Sequence, residues 1–188
     1  MNASAVPRIT NVHHVAYRCF DSNETRHFYE DLLGLPLEAA LSFDEISGTD
    51  VKLRYLHLFF KLGDGSFIAF FDVPDHDRPD LFKPRSGLNR HIAVEVATAA
   101  EQQQFQERLE RGGYKVMGPI NHGFVQSIYT DDPNGIQVEV TTRLPDYDAV
   151  MAHERSIVDQ VMTQWNAETR DRKDAMRAKI AKSPLAAS

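Results

Sequence analysis

Positions 12–19 alternate along the chain and carry β-branched or aromatic residues, which predicts a strand. Asp21-Ser-Asn-Glu24 then offers helix-capping chemistry, and Phe28, Tyr29, Leu32 and Leu33 recur at helical spacing. Gly34 follows the last apolar pair, where a left-handed helix end is expected. Three further strands are predicted over 36–43, 53–60 and 66–72, the last two joined by the turn dipeptide Asp64-Gly65. The same order then returns. A strand over 91–96 precedes a Glu- and Gln-rich helix over 99–111 that stops at Gly112-Gly113. Strands follow over 114–117, 124–130 and 136–142, with the turn Asp132-Pro-Asn-Gly135 before the last. The pattern predicts an α+β fold of two tandem βαβββ units, about 9–74 and 89–143, within one domain over 9–145. The polar stretch 74–89 reads as their exposed connection.

The two units also share sequence. His13-His14-Val-Ala-Tyr17 is echoed by Arg90-His91-Ile-Ala-Val94, and Gly65-Ser-Phe-Ile-Ala69 by Gly135-Ile-Gln-Val-Glu139. If the units pair as equivalent halves of a concave mixed sheet, a half-barrel, then His14, His91 and Glu139 occupy corresponding positions on its open face. Alternation supports this: Ile92, Val94 and Val96 share the face opposite His91, and Val138 and Val140 the face opposite Glu139. An ionised carboxylate on such a face is costly unless paired or metal-bound. Two imidazoles and one carboxylate form the facial triad that suits a non-haem divalent iron with open coordination positions. A lone strand histidine is more often a hydrogen-bonded core residue, and a lone glutamate a solvated edge. The coincidence at duplicated positions favours the metal. Ala69, at the fourth corner, leaves room for substrate.

Composition narrows the function classes. Lys and Arg number 21 against 27 Asp and Glu in 188 residues, a net charge of −6, so no basic stripe invites a nucleic acid. The single cysteine, Cys19, excludes an internal disulfide and suits a reducing cytoplasm; it reads as buried filler. The N-terminus lacks the pattern of a secretory signal, and no stretch approaches the roughly 20 apolar residues that span a bilayer. After Pro145 an amphipathic helix is predicted over 146–182, with Val150, Met151, Ile157, Val158, Val161, Met162 and Trp165 on one side. That stripe points to packing on its own domain or on a twin subunit, hence a homo-oligomer. Residues 183–188 read as a frayed tail.

The stretch from Ile120 through His122, Tyr129 and Asp132-Pro-Asn-Gly135 to Glu139 resembles the signature of type I extradiol ring-cleavage dioxygenases. These belong to the vicinal oxygen chelate superfamily, with glyoxalase I and the bleomycin-resistance proteins. The likeness spans about residues 9–143. It implies Fe(II), or Mn(II), bound by His14, His91 and Glu139, with a small aromatic diol and O₂ as substrates. By the same resemblance Tyr129 hydrogen-bonds a substrate oxygen and His122 lines the pocket. His76, upstream of His91, is the implied acid–base residue, a role that imidazole suits near neutral pH. Phe67 and Phe71, flanking Ala69, are expected to form an apolar wall for the ring. His13 is expected to point away from His14, and His27, His57 and His153 have no placement that argues for chemistry. The chain departs from many extradiol enzymes in carrying two units instead of four. Such short forms often build the site across a dimer, so the resemblance leaves both arrangements open: His14 and His91 from one chain, or from different chains. The rival readings are a metal-dependent lyase, isomerase or epimerase, and a resistance protein that sequesters an aromatic compound.

Overall fold

A computed structural model describes residues 7–181. The chain divides after Arg143 into two compact units. In the first, β1 (His14–Cys19) leads into α1 (Ser22–Arg26), which continues as a wider helical turn over His27–Leu32. Asp21 caps it by accepting from the amides of Asn23 and Glu24. β2 (Leu37–Glu45), β3 (Lys52–Lys61) and β4 (Phe67–Asp72) complete a four-stranded sheet in the order β1-β4-β3-β2, with β1 parallel to β4. After two short 3₁₀ turns the pattern repeats with β5 (His91–Glu95), α2 (Ala99–Arg111), β6 (Met117–Asn121), β7 (Val125–Asp131) and β8 (Gln137–Arg143). The second sheet runs β5-β8-β7-β6, again with its first strand at an edge and parallel to its last. Two βαβββ units with open sheets are therefore what the chain forms.

Alternation decides which face each sheet buries. Leu58, Phe60, Ile68 and Phe70 of the first sheet and Ile92, Val138 and Val140 of the second are buried. Phe28, Tyr29 and Leu32 from the first helical segment and Leu109 from α2 join both sets in one core. Each such side chain contributes roughly 1.5–3 kcal/mol on burial. Gly112 admits Leu32 there, since a Cβ at this position would lie 2.9 Å from Leu32 Cδ1. The helix α2 begins with a capping box between Thr98 and Glu101.

One strand falls later than the sequence pattern predicts. The segment 114–117 is expected to be extended, but β6 occupies Met117–Asn121. The Tyr114 amide instead closes the end of α2 on the Leu109 carbonyl. Pro119 is tolerated inside β6 because β6 is an edge strand with a register shift between Met117 and Ile120.

In the second unit, α3 runs without a break over Tyr147–Ala181. The expected tail at 183–188 lies outside the described residues. Among the described residues, no helix is long and apolar enough to cross a membrane.

Candidate functional site

The strands β5, β7 and β8 and the turn between β6 and β7 bring four of the predicted side chains into one cleft. His91, His122, Tyr129 and Glu139 line a cavity of about 310 Å³ together with Ser86, Gly87, Leu88 and Gln137. Tyr129 and Glu139 are directly opposed in the β7–β8 register, and Glu139 sits beside Ala93 of β5.

The backbone sets the state of His91. Its Nδ1 lies 2.7 Å from the Gly87 carbonyl, which only accepts, so Nδ1 carries the proton and Nε2 presents a lone pair. The His91 Nε2 faces Glu139 Oε2 at 3.9 Å. The other carboxylate oxygen, Oε1, accepts from Ser127 Oγ at 2.5 Å, and that hydroxyl is also 3.1 Å from Thr141 Oγ1. The Glu139 side chain is only 12% exposed. The His91 ring, which faces it with a lone pair, does not neutralise that charge. A carboxylate buried this far calls for a cation. A lone pair and a carboxylate oxygen with no hydrogen bond between them are donors that suit a divalent metal.

Tyr129 and His122 form the polar wall. The hydroxyl lies 2.7 Å from His122 Nε2. Burial raises the Tyr129 pKa, the Ser127 hydroxyl opposes the shift and the Glu139 carboxylate adds to it. The phenol therefore keeps its proton at neutral pH, and it shares with Nε2 one hydrogen bond whose direction follows the His122 tautomer.

His14 belongs to a different cluster. It stands on the first sheet in register with Phe67. Its ring lies 5.5 Å from Phe59 and 6.0 Å from His57. His57, which sequence reasoning passed over, stacks on Phe71 at 3.9 Å and 22° and lies 4.1 Å from Phe59. Its Nε2 is buried without a hydrogen-bond partner, and burial followed by the charge of His14 lowers its pKa, so the ring is neutral. The alternation of Tyr55, His57 and Phe59 against Leu56, Leu58 and Phe60 was the signal that could have found it. Phe67 and Phe71 stand on this same face of β4. His13 does not point away from His14: their Nδ1 atoms are 2.8 Å apart, because His13 precedes β1 and escapes the strand's alternation.

Within one chain the metal trio does not converge. No three His, Cys, Asp or Glu side chains among the described residues gather at metal-binding distance. The reason is packing. Each sheet buries the face opposite its histidine in the shared core, so His14 and His91 stand on the outer faces of different sheets. The two units thus form the open mixed sheets expected without bringing the three side chains together within one chain. His76 ends the exposed turn Pro74–His76 and is not among the residues of the His91 cleft.

The glyoxalase/bleomycin resistance protein/dioxygenase superfamily model matches residues 11–140, and the chain belongs to that superfamily. No curated protein matches it. Among solved structures, a domain of this superfamily from Frankia sp. EAN1pec superposes with a TM-score of 0.60 at 19% identity, over 73% of this chain and 95% of that one. A variant of the fosfomycin resistance protein FosX from Listeria monocytogenes, complexed with Mn(II) and 1S,2S-dihydroxypropylphosphonic acid, gives 0.55 at 17% identity, over 76% and 99%. An antibiotic-binding protein from Streptomyces sp. CB03234 gives 0.52 at 19% identity, over 74% and 100%. At these identities the likeness is one of fold.

Proposed function

We propose that the chain is a metal-dependent dioxygenase that opens a catecholic ring, its metal held by His14 of one copy and by His91 and Glu139 of a second. The observation that carries this is the His91 cleft. An imidazole lone pair and a buried carboxylate face each other there, and a protonated tyrosine paired with a histidine lines the same cavity. Fe(II), or Mn(II), supplies when bound a Lewis-acid centre that lowers the cost of deprotonating a chelated diol and sets it for reaction with O₂. Gly87 and Ser127 orient the two ligands of this chain. Tyr129 donates a hydrogen bond to a substrate oxygen in place of His122, and the freed His122 Nε2 accepts a substrate proton. The aromatic face carrying His14, with Phe59, Phe67, Phe71 and His57, closes over the ring.

Two edges support assembly across copies. β1 and β5 are both edge strands, and Ile9 and Leu88 beside them are 91% and 99% exposed. Proteins do not leave apolar edges open. A twofold pairing of β1 with the β5 of a second copy covers both and creates two equal sites.

One observation favours a second reading. The acid–base histidine implied by the extradiol resemblance, His76, lies outside the cleft, and a redox-neutral lyase or isomerase acting on a chelating substrate has no need of it in that role. The test is anaerobic Fe(II) reconstitution followed by a catechol panel with O₂ uptake. A yellow ring-opened product formed with stoichiometric O₂ uptake bears out the dioxygenase. Turnover with a redox-inactive metal and no O₂ uptake establishes the second reading, and protein that retains no metal is a sequestering protein.

A further inference from the structure

We propose that α3 pairs antiparallel with the α3 of a second copy of this chain, through an apolar stripe along its whole length with Trp165 at the centre. The helix has 35 residues and so runs for about 52 Å. At 3.6 residues per turn, Met151, Val158, Met162, Trp165, Thr169, Met176 and Ile180 all lie within roughly 40° of one line along it. Val158, Met162, Trp165, Met176 and Ile180 are each more than half exposed. Thr169, on the same line, is itself buried at 6% exposure, with its hydroxyl donating back to the Trp165 carbonyl at 2.7 Å. Exposed apolar side chains recurring along one side of a helix of this length mark an association surface.

Charge selects the occupant and its direction. The N-terminal half of α3 carries Asp148, Glu154 and Asp159 against Arg155. The C-terminal half carries Arg170, Arg172, Lys173, Arg177 and Lys179 against Glu168, Asp171 and Asp174. A parallel pair would set acid beside acid and base beside base. An antiparallel pair sets the acidic half of each helix on the basic half of the other, and opposes the two helix dipoles. The chain's one tryptophan, Trp165, is one residue from the midpoint of Tyr147–Ala181, so the twofold axis brings the two indoles together. The helix is its own complement. This contact uses none of the residues of the metal proposal and stands whether or not that proposal does.

The experiment is disulfide trapping in the full-length chain, whose only native thiol, Cys19, is buried. Trp165→Cys links to itself on mild oxidation. Met151→Cys and Ile180→Cys, prepared separately, link only when mixed, since antiparallel pairing puts two copies of position 151 about 42 Å apart. Met151→Cys linking to itself would overturn the proposal in favour of a parallel pair, and no linkage at any of the three positions would overturn self-association. A second series reads the charge argument. With Trp165→Cys present, the triple change Asp148→Lys, Glu154→Lys, Asp159→Lys abolishes self-linkage. So does Arg172→Glu, Lys173→Glu, Arg177→Glu, while the two variants mixed regain it. Linkage indifferent to these changes overturns the pairing described.

Discussion

The Tyr29 hydroxyl donates to the Asp132 carboxylate at 3.0 Å, and both groups are buried. The contact joins the helical segment of the first βαβββ unit to the turn that launches β8 and Glu139. Asp132 also accepts from the amides of Asn134 and Ile136 at 2.9 and 2.7 Å. Asn134 in turn donates to Thr25 Oγ1 and accepts from the Phe20 amide, back in the first unit. Burial raises the Asp132 pKa and these hydrogen bonds oppose the rise. Gly135 completes the turn with φ +69, and a Cβ there would come within 2.5 Å of the Lys83 backbone. This polar bolt fixes which faces of the two sheets meet, and thus which faces look outward.

Removing the Tyr29 hydroxyl tests the bolt. Tyr29→Phe leaves a buried carboxylate oxygen short of a donor, at a cost of about 1–3 kcal/mol. The denaturant midpoint is expected to fall with an unchanged slope, while metal retention stays as in the parent. A midpoint equal to the parent's contradicts the role.

Ser127 orients Glu139 without being a ligand. Ser127→Ala is expected to weaken metal affinity about 10- to 100-fold and to cost about 1–3 kcal/mol of stability, since the Glu139 oxygen loses its donor. Metal titration into the stripped protein gives the number, and an unchanged affinity would remove Ser127 from the account.

Tyr129→Phe separates binding from chemistry. Metal affinity is expected to persist, because the phenol is not a ligand, while kcat falls by about 100-fold or more. Loss of metal together with activity would show that Tyr129 is structural.

Cys19 supplies a pH dependence of stability. Burial, with Asp72 adding, pushes its pKa from 9.0 to about 12 in the fold. The folded state holds the proton where the unfolded chain releases it. Its contribution is therefore complete below pH 9 and is lost as pH rises toward about 12. Thiol-reactive reagent at pH 8 should label Cys19 only on unfolding, and prompt labelling of the native protein would contradict its placement.

Much of this was legible in the residues, and the failures have physical causes. Alternation in β5 and β8 separated Ile92, Val138 and Val140 from His91 and Glu139, and their burial follows it. The capping residue Asp21 marks the start of the first helix, and Gly112-Gly113 the end of α2. Period alone could not tell how two sheets dock, because that depends on contacts far apart in sequence, such as Tyr29 with Asp132. For that reason the pattern put His14 beside His91, whereas the isolated chain holds them on different faces. His57 was missed because no motif flags it; only its strand partner Phe71 gives it a setting. The shift of β6 came from a helix end that captured the Tyr114 amide.

The central claim is that one metal site takes His14 from one copy and His91 with Glu139 from another. His14→Ala and Glu139→Ala variants, each prepared alone, are expected to hold no metal. In a mixed pair, one of the two sites receives His14 from the Glu139→Ala chain and His91 with Glu139 from the His14→Ala chain, and is intact. Co-expressing the two variants with different tags, purifying the mixed pairs and measuring bound metal tests this directly. The account predicts one filled site per mixed pair; mixed pairs as empty as their components, or metal retained by either variant alone, would contradict it.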